Sequence, residues 1–161
     1  MIHLATGIAI RDGRLLMVAS RYPSQPQPLW NLPGGRQLPG ELLAETVVRE
    51  VYEETGLRAR AGEVAYVSES YDGERHFLNV TFLLSFETRP FETRAARAPQ
   101  GDISGEHVVR VEWVRLGEVG ERIVVDVVRE PLVAYLRGAL VQRYAGFHEA
   151  GITIEWPEDS T

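Results

Sequence analysis

Three glutamates, Glu50, Glu53 and Glu54, stand at i, i+3 and i+4 in a stretch from Glu41 to Glu54 that holds neither glycine nor proline. On a helix turning about 100° per residue, their carboxylates share one edge. Like charges that close repel and raise one another's pKa unless something positive lies between them. A hard divalent cation with oxygen ligands is the natural partner, Mg²⁺ first, with Mn²⁺ able to substitute. Such a cation neutralises oxyanions and acidifies bound water, so the chemistry in view is metal-assisted. Arg49 lies beside the carboxylates, one turn from Glu45 and from Glu53, where an ion pair orients a ligating carboxylate. A solvated acidic helix face is the plainer account of an isolated Glu-x-x-Glu-Glu.

What surrounds the glutamates decides between these accounts. Gly34, Gly35, Pro39 and Gly40 mark a loop, because they tolerate positive φ or fix φ for a turn. Gly56 stands where a left-handed helix C-cap is usual. Between them Leu43, Ala44, Val47, Val48 and Val51 fall on one side and form the stripe that packs inward. Five residues separate Gly35 from Glu41, seven separate Glu41 from Arg49, and Glu50-Val51-Tyr52-Glu53-Glu54-Thr55-Gly56-Leu57 follows. At ordinary residue usage such a pattern arises by chance below roughly 10⁻⁸ per starting point.

The stretch Gly35 to Leu57 resembles the Nudix box, the signature of the Nudix hydrolases, with no departure at a constrained position. Trp30-Asn31-Leu32-Pro33-Gly34-Gly35 and the flanking strands carry a weaker likeness over most of the chain. The resemblance implies a Nudix-like α/β/α sandwich with a mixed β-sheet, and metal held by Glu50, Glu53, Glu54 and the Gly34 carbonyl. It names Glu50 as first candidate for general base. Glu106, just before a late strand, is the alternative base or a further ligand, with Glu112 as the other register. Glu41 is expected to close the loop onto the helix, and Arg36 to contact phosphate. Arg21, Tyr22 and Trp30 flank the loop, where an arginine suits phosphate and an aromatic ring suits a base. For Trp30 and Tyr22 the competing account is plain core packing.

The whole chain bounds these readings. Its 161 residues, 44% hydrophobic and 25% charged, suit one domain spanning residues 1–161. The absence of cysteine removes disulfides, thiolate metal sites and cysteine nucleophiles, and with them the relatives built on an active-site cysteine or a cysteine zinc module. No apolar run has the length of a membrane span and Met1-Ile2-His3-Leu4 lacks a basic signal start, so a cytoplasmic protein is expected. A net charge of −6 without a basic cluster argues against a nucleic-acid duplex as partner.

In chain order, Ile2–Ile10 reads as a strand, Asp12-Gly13 as a hairpin turn and Leu15–Ser20 as a strand buried on both faces. Residues 21–28 form a proline-rich loop, and Trp30–Leu32 a short strand. Two further strands flank Asp72-Gly73, and from the second, His76–Phe86, Arg75, His76 and Asn79 are positioned to face a ligand. Residues 88–105 read as loop, Glu106–Val114 as a strand, Leu116–Val119 as a helical turn and Pro131–Tyr144 as a second helix with Leu132, Leu136, Leu140 and Val141 inward. The function expected is divalent-metal-dependent hydrolysis of a diphosphate bond in a nucleoside diphosphate linked to another moiety. Nucleoside triphosphates, dinucleoside polyphosphates, nucleotide sugars and ADP-ribose all qualify as small-molecule substrates. The alternative is a Nudix-fold nucleotide sensor without catalysis, and oligomeric state stays open, a homodimer included.

Overall fold

The computed structural model describes residues 1–86 and 107–148. Its first strand, β1 (Ile2–Ile8), passes into β2 (Ile10–Arg11), which turns at Asp12 (φ 49°) and Gly13 (φ 72°) into β3 (Arg14–Arg21). Both turn residues are left-handed, as a two-residue hairpin requires. Short strands β4 (Leu29–Asn31) and β5 (Gly34–Arg36) deliver the chain to helix α1 (Leu43–Thr55). Then come β6 (Ala59–Tyr71), β7 (His76–Phe86) and β8 (His107–Arg115). A 3₁₀ turn at Leu116–Glu118 leads to α2 (Val119–Arg122), α3 (Asp126–Leu136) and β9 (Tyr144–Phe147).

The strands divide between two sheets. One has the order β5-β1-β7-β6-β9 and is mixed, with β1 parallel to β7 and β6 parallel to β9. The other centres on β3, flanked by β2, β4 and β8, all antiparallel to it. β3 is buried from Leu15 to Ser20, as its unbroken apolar run demands. Helix α1 sets Val47 and Val51 against Ala5, Leu16, Ala59 and Phe82. On the other side Leu132 of α3 joins Ile8, Leu15, Met17, Tyr66, Val114 and Ile123. Helices thus cover both sides of the strands, which is the expected α/β/α arrangement.

One expectation needs correction. The second helix spans Asp126–Leu136, with Pro131 in its interior, where the sequence had suggested Pro131–Tyr144. The helix begins in a β-branched run whose propensity hides it. The Val125 carbonyl accepts from the Val128 and Arg129 N–H groups, and tertiary packing of Leu132 outweighs that propensity. It ends before Gly138 at φ 66°, so Val141 is 98% exposed instead of inward, and Tyr144 belongs to β9. The first helix starts at Leu43, with Glu41 in the loop that it was expected to close. Glu106, the loop at 88–105 and the C-terminal residues 149–161 lie outside the described residues.

Candidate active site

The site is built where β5 meets α1. β5 pairs antiparallel with β1, Gly34 opposite Thr6 and Gly35 opposite Ala5. Both glycines are required by contact. A Cβ on Gly35 would lie 2.6 Å from the Glu50 carboxyl carbon, and one on Gly34 would lie 2.2 Å from the Ala5 carbonyl oxygen. Gly34 also holds φ at 154°. The missing side chain of Gly35 is therefore what lets Glu50 rest on the strand, and that of Gly34 lets β5 lie against β1.

Arg49 organises the carboxylates. Its Nε donates to Glu41 Oε1 at 2.6 Å and its Nη2 to Glu41 Oε2 at 3.1 Å, a two-pronged pair. Nη1 donates to Glu50 Oε1 at 2.9 Å and to Glu53 Oε2 at 3.2 Å, and Nη2 also reaches the Arg36 carbonyl at 3.0 Å. Glu41 accepts further bonds from the Leu38 N–H (3.1 Å) and the Thr46 hydroxyl (3.0 Å), so it closes the loop onto the helix as its place in the sequence suggested. Glu45 is no partner of Arg49: it accepts from the Leu42 N–H at 2.7 Å and so caps the helix start. Glu54, 8% exposed, accepts from the Gly34 N–H at 2.7 Å. That bond ties the last turn of α1 directly to β5.

The electrostatics follow from this geometry. The Arg49 guanidinium, with help from Leu38 and Thr46, holds the Glu41 carboxyl down at about 2 against the opposing effect of burial. Glu41 in turn holds Arg49 protonated more firmly than usual. Burial pushes Glu50 up, with the charges of Glu53 and Glu41 adding to it and Arg49 opposing. A carboxylate kept on the basic side of its usual range, next to a fixed cation, suits proton acceptance.

Among the described residues no group of three acidic or imidazole side chains is already gathered in metal-ligating geometry. Arg49 stands between Glu50 and Glu53, and Glu54 is turned to the Gly34 N–H. The donor set nevertheless fits a hard cation. Glu50 against Gly35, Glu54 at the Gly34 N–H and Glu53 beside Glu50 on Arg49 offer only oxygen.

Other candidates lie elsewhere. The Arg36 side chain, by strand alternation, sits on the sheet face opposite Gly35 and Glu50. Tyr22 is 7% exposed and packs with Leu29 and Val125, and Arg21 ends β3 in the second sheet. Trp30 packs partly buried against the core, with the Arg122 guanidinium 5.0 Å from its ring centre. Glu112 is committed to Arg122 through bonds of 3.1 and 3.3 Å. His76 pairs with Glu69, whose other oxygen accepts from Tyr144 at 2.5 Å. Sequence reasoning missed the buried hydroxyls Thr6, Ser68 and Thr81 around Asn79, because isolated Thr and Ser carry no spacing signal until strands pair.

A glycine loop feeds a helix with a carboxylate edge, set on a mixed sheet between helical layers, and this frame defines a family. The chain belongs to the Nudix family: the NUDIX domain profile matches residues 1–136. It is similar to diphosphoinositol polyphosphate phosphohydrolase 2 of Mus musculus, 38% identical over 77 residues, covering 45% of this chain and 41% of that protein. It is also similar to the CTP pyrophosphohydrolase of Escherichia coli (strain K12), 36% identical over 63 residues, 39% of this chain and 47% of the relative. The chain thus spans under half the length of these relatives. In fold it matches a NUDIX hydrolase from Nitrosomonas europaea with a TM-score of 0.68 at 20% identity, covering 89% of this chain and 92% of that one. The MutT protein from Methanosarcina mazei Go1 gives a TM-score of 0.65 at 23% identity over 85% and 94% of the two chains. No helix among the described residues is long and apolar enough to cross a membrane.

Proposed function

We propose that this protein hydrolyses a diphosphate bond in a nucleoside diphosphate linked to a second moiety, with Mg²⁺ or Mn²⁺ as cofactor. The observation that carries the reading is the seat of Glu50 on Gly35, where any side chain would displace the carboxylate. The names of the similar proteins, a diphosphoinositol polyphosphate phosphohydrolase and a CTP pyrophosphohydrolase, have a phosphoanhydride in common, and that shared bond supports the reaction class.

Glu50, Glu53, Glu54 and the Gly34 carbonyl would hold the cation, which supplies charge neutralisation on the phosphoryl oxygens and a more acidic water. Glu50 takes the proton of the attacking water, its carboxylate kept basic by burial. Arg49, itself anchored by Glu41, orients Glu50 and Glu53. Glu54 locks the helix end to β5 so that carboxylates and Gly34 stay in register. Glu106, placed just before β8, is kept as the alternative base or a further ligand. Arg36, Arg21 and Tyr22 are kept as substrate-side groups, Tyr22 through the shape of the wall it packs into.

Chromatographic detection of the two phosphorylated products from a panel of nucleoside triphosphates, dinucleoside polyphosphates, nucleotide sugars and ADP-ribose tests the reading. Activity is expected with Mg²⁺, none with chelator, and recovery when Mg²⁺ or Mn²⁺ is restored. Full turnover in chelator overturns the metal mechanism. A nucleotide that raises the melting temperature without being turned over would indicate a binding module in place of an enzyme.

A further inference from the structure

Helix α1 buries two threonines, Thr46 and Thr55, at 0% and 1% exposure. A buried hydroxyl inside a helix ordinarily donates to the carbonyl four residues back. Thr55 does so, with Oγ1 2.6 Å from the Val51 carbonyl. Thr46 Oγ1 stands 3.2 Å from the corresponding Leu42 carbonyl and closer, at 3.0 Å, to Glu41 Oε2. The Leu42 carbonyl already accepts from the Glu45 and Thr46 N–H groups, both at 2.9 Å. A hydroxyl has one proton to give, and a carboxylate is a stronger acceptor than a carbonyl shared by two N–H groups. The proton goes to Glu41.

What that bond does follows from the shape of the groups it joins. The Glu41 backbone is held by Gln37, whose Nε2 donates to its carbonyl at 2.7 Å, and by its own N–H, which donates to the Leu38 carbonyl at 3.1 Å. The carboxylate keeps its side-chain torsions. Oε1 accepts from Arg49 Nε, whereas Oε2 gathers the Leu38 N–H, the Thr46 hydroxyl and Arg49 Nη2. Leu38 ties that oxygen to the loop, and Thr46 ties it to the helix that carries Glu50. A guanidinium is planar and rigid, so once Nε and Nη2 are set on Glu41 the direction of Nη1 is set too. Nη1 is the nitrogen that reaches Glu50 at 2.9 Å and Glu53 at 3.2 Å. A tilt of the Glu41 carboxylate therefore displaces the group that Glu50 and Glu53 share.

We infer that Thr46 is a positioning residue for the hydrolysis, acting through Glu41 and Arg49 on Glu50. The inference rests on the hydrolase reading above for the role of Glu50. Packing alone does not call for the hydroxyl. Valine has the same shape and would fill the same buried space without a polar group to satisfy.

Two measurements test it, one of them without turnover. In ¹H–¹⁵N NMR spectra of the full chain, without metal or substrate, the Arg49 Nε proton is expected to be protected from exchange. Thr46→Val should speed that exchange about tenfold, the scale of one lost hydrogen bond, while Thr46→Ser keeps the hydroxyl and should stay within about threefold of wild type. In steady-state hydrolysis Thr46→Val is expected to lower kcat about tenfold, the lower end of what partners of ligating side chains contribute. KM should stay within about twofold, because the lost interaction orients Glu50 and does not touch substrate. Thr46→Ser should restore kcat. In a Glu41→Gln background Thr46→Val should cost no more than about twofold, since the fork through which it acts is already broken. Thr46→Ala, a better helix former, takes the place of the valine variant if that one does not fold. Wild-type kcat in Thr46→Val, equal losses in the valine and serine variants, the same loss with and without Glu41→Gln, or unchanged Arg49 exchange each overturns the inference. Failure of the hydrolase reading shows separately, as absence of Mg²⁺-dependent products from the wild type, and the exchange measurement still decides whether Thr46 sets Arg49.

Discussion

At the scale of single residues, Arg49 and Glu41 act as a pair that the rest of the site leans on. Glu41 is joined to Arg49 at two points and to the Leu38 backbone and Thr46 side chain at two more, with its side chain 19% exposed. Its carboxyl titrates at about 2 when folded, against an ordinary value of 4.5. A carboxyl depressed in this way binds fewer protons folded than unfolded between those two values, so its contribution is complete above the unfolded value and fades as pH falls through the folded one. Wild-type stability is therefore expected to decline from pH 4.5 towards pH 2. Glu41→Gln should start lower, by about 1–3 kcal/mol, and fall less steeply over that range. Melting curves taken at half-unit steps compare the two slopes, and parallel slopes would remove Glu41 from the acid response. Glu54 carries a related lesson. Charge repulsion alone makes it look costly, yet its oxygen satisfies the Gly34 N–H, which the helix sequence gives no hint of.

At the scale of elements, the contact between β5 and α1 separates stability from chemistry. A methyl on Gly35 meets the end of the Glu50 side chain, which can swing aside, whereas a methyl on Gly34 meets β1 backbone, which cannot. Gly35→Ala is therefore expected to fold with a melting temperature close to wild type and to lose about 10²-fold in kcat, the scale set by a displacement near 1 Å at a reacting group. Steady-state kinetics beside a melting curve check this. Equal losses in both, or none in kcat, would mean that the seat of Glu50 is not the working geometry. The other helix shows how an element escapes its own sequence. Pro131 reads as a helix start, but the helix begins at Asp126 and so sets Leu132 into the core.

At the scale of the molecule, the two helical layers lie over different apolar clusters, and the carboxylate helix belongs to one of them only. Leu132 is fully buried in the layer away from Glu50. Leu132→Ala is expected to cost about 2–5 kcal/mol while kcat per folded molecule is unchanged. Denaturant unfolding followed by an activity assay on the remaining folded fraction distinguishes this from a variant that also disturbs the site. A kcat loss of tenfold or more at full folding would mean that the α3 layer reaches the carboxylates.

The sequence alone determined the loop–helix unit, which is set by interactions over a few residues, and through the family resemblance of that unit it pointed to the layered α/β class. Spacing places Glu50, Glu53 and Glu54 on one helix edge, Gly56 ends the helix, and Asp12-Gly13 makes the hairpin whatever the rest of the chain does. Tertiary structure decided every matter of partnership. Arg49 takes Glu41 and the Arg36 carbonyl where local spacing offered Glu45, since the loop brings those groups back over the helix. Glu112 goes to Arg122 and Tyr22 into a small apolar cluster, because β3 and β4 lie in a second sheet. The row of Arg36, Asn79 and Ser68 exists only once β1 has paired with β5 on one side and β7 on the other. Pairing across more than thirty residues depends on which strands find each other during folding, and no local pattern of side chains encodes that choice.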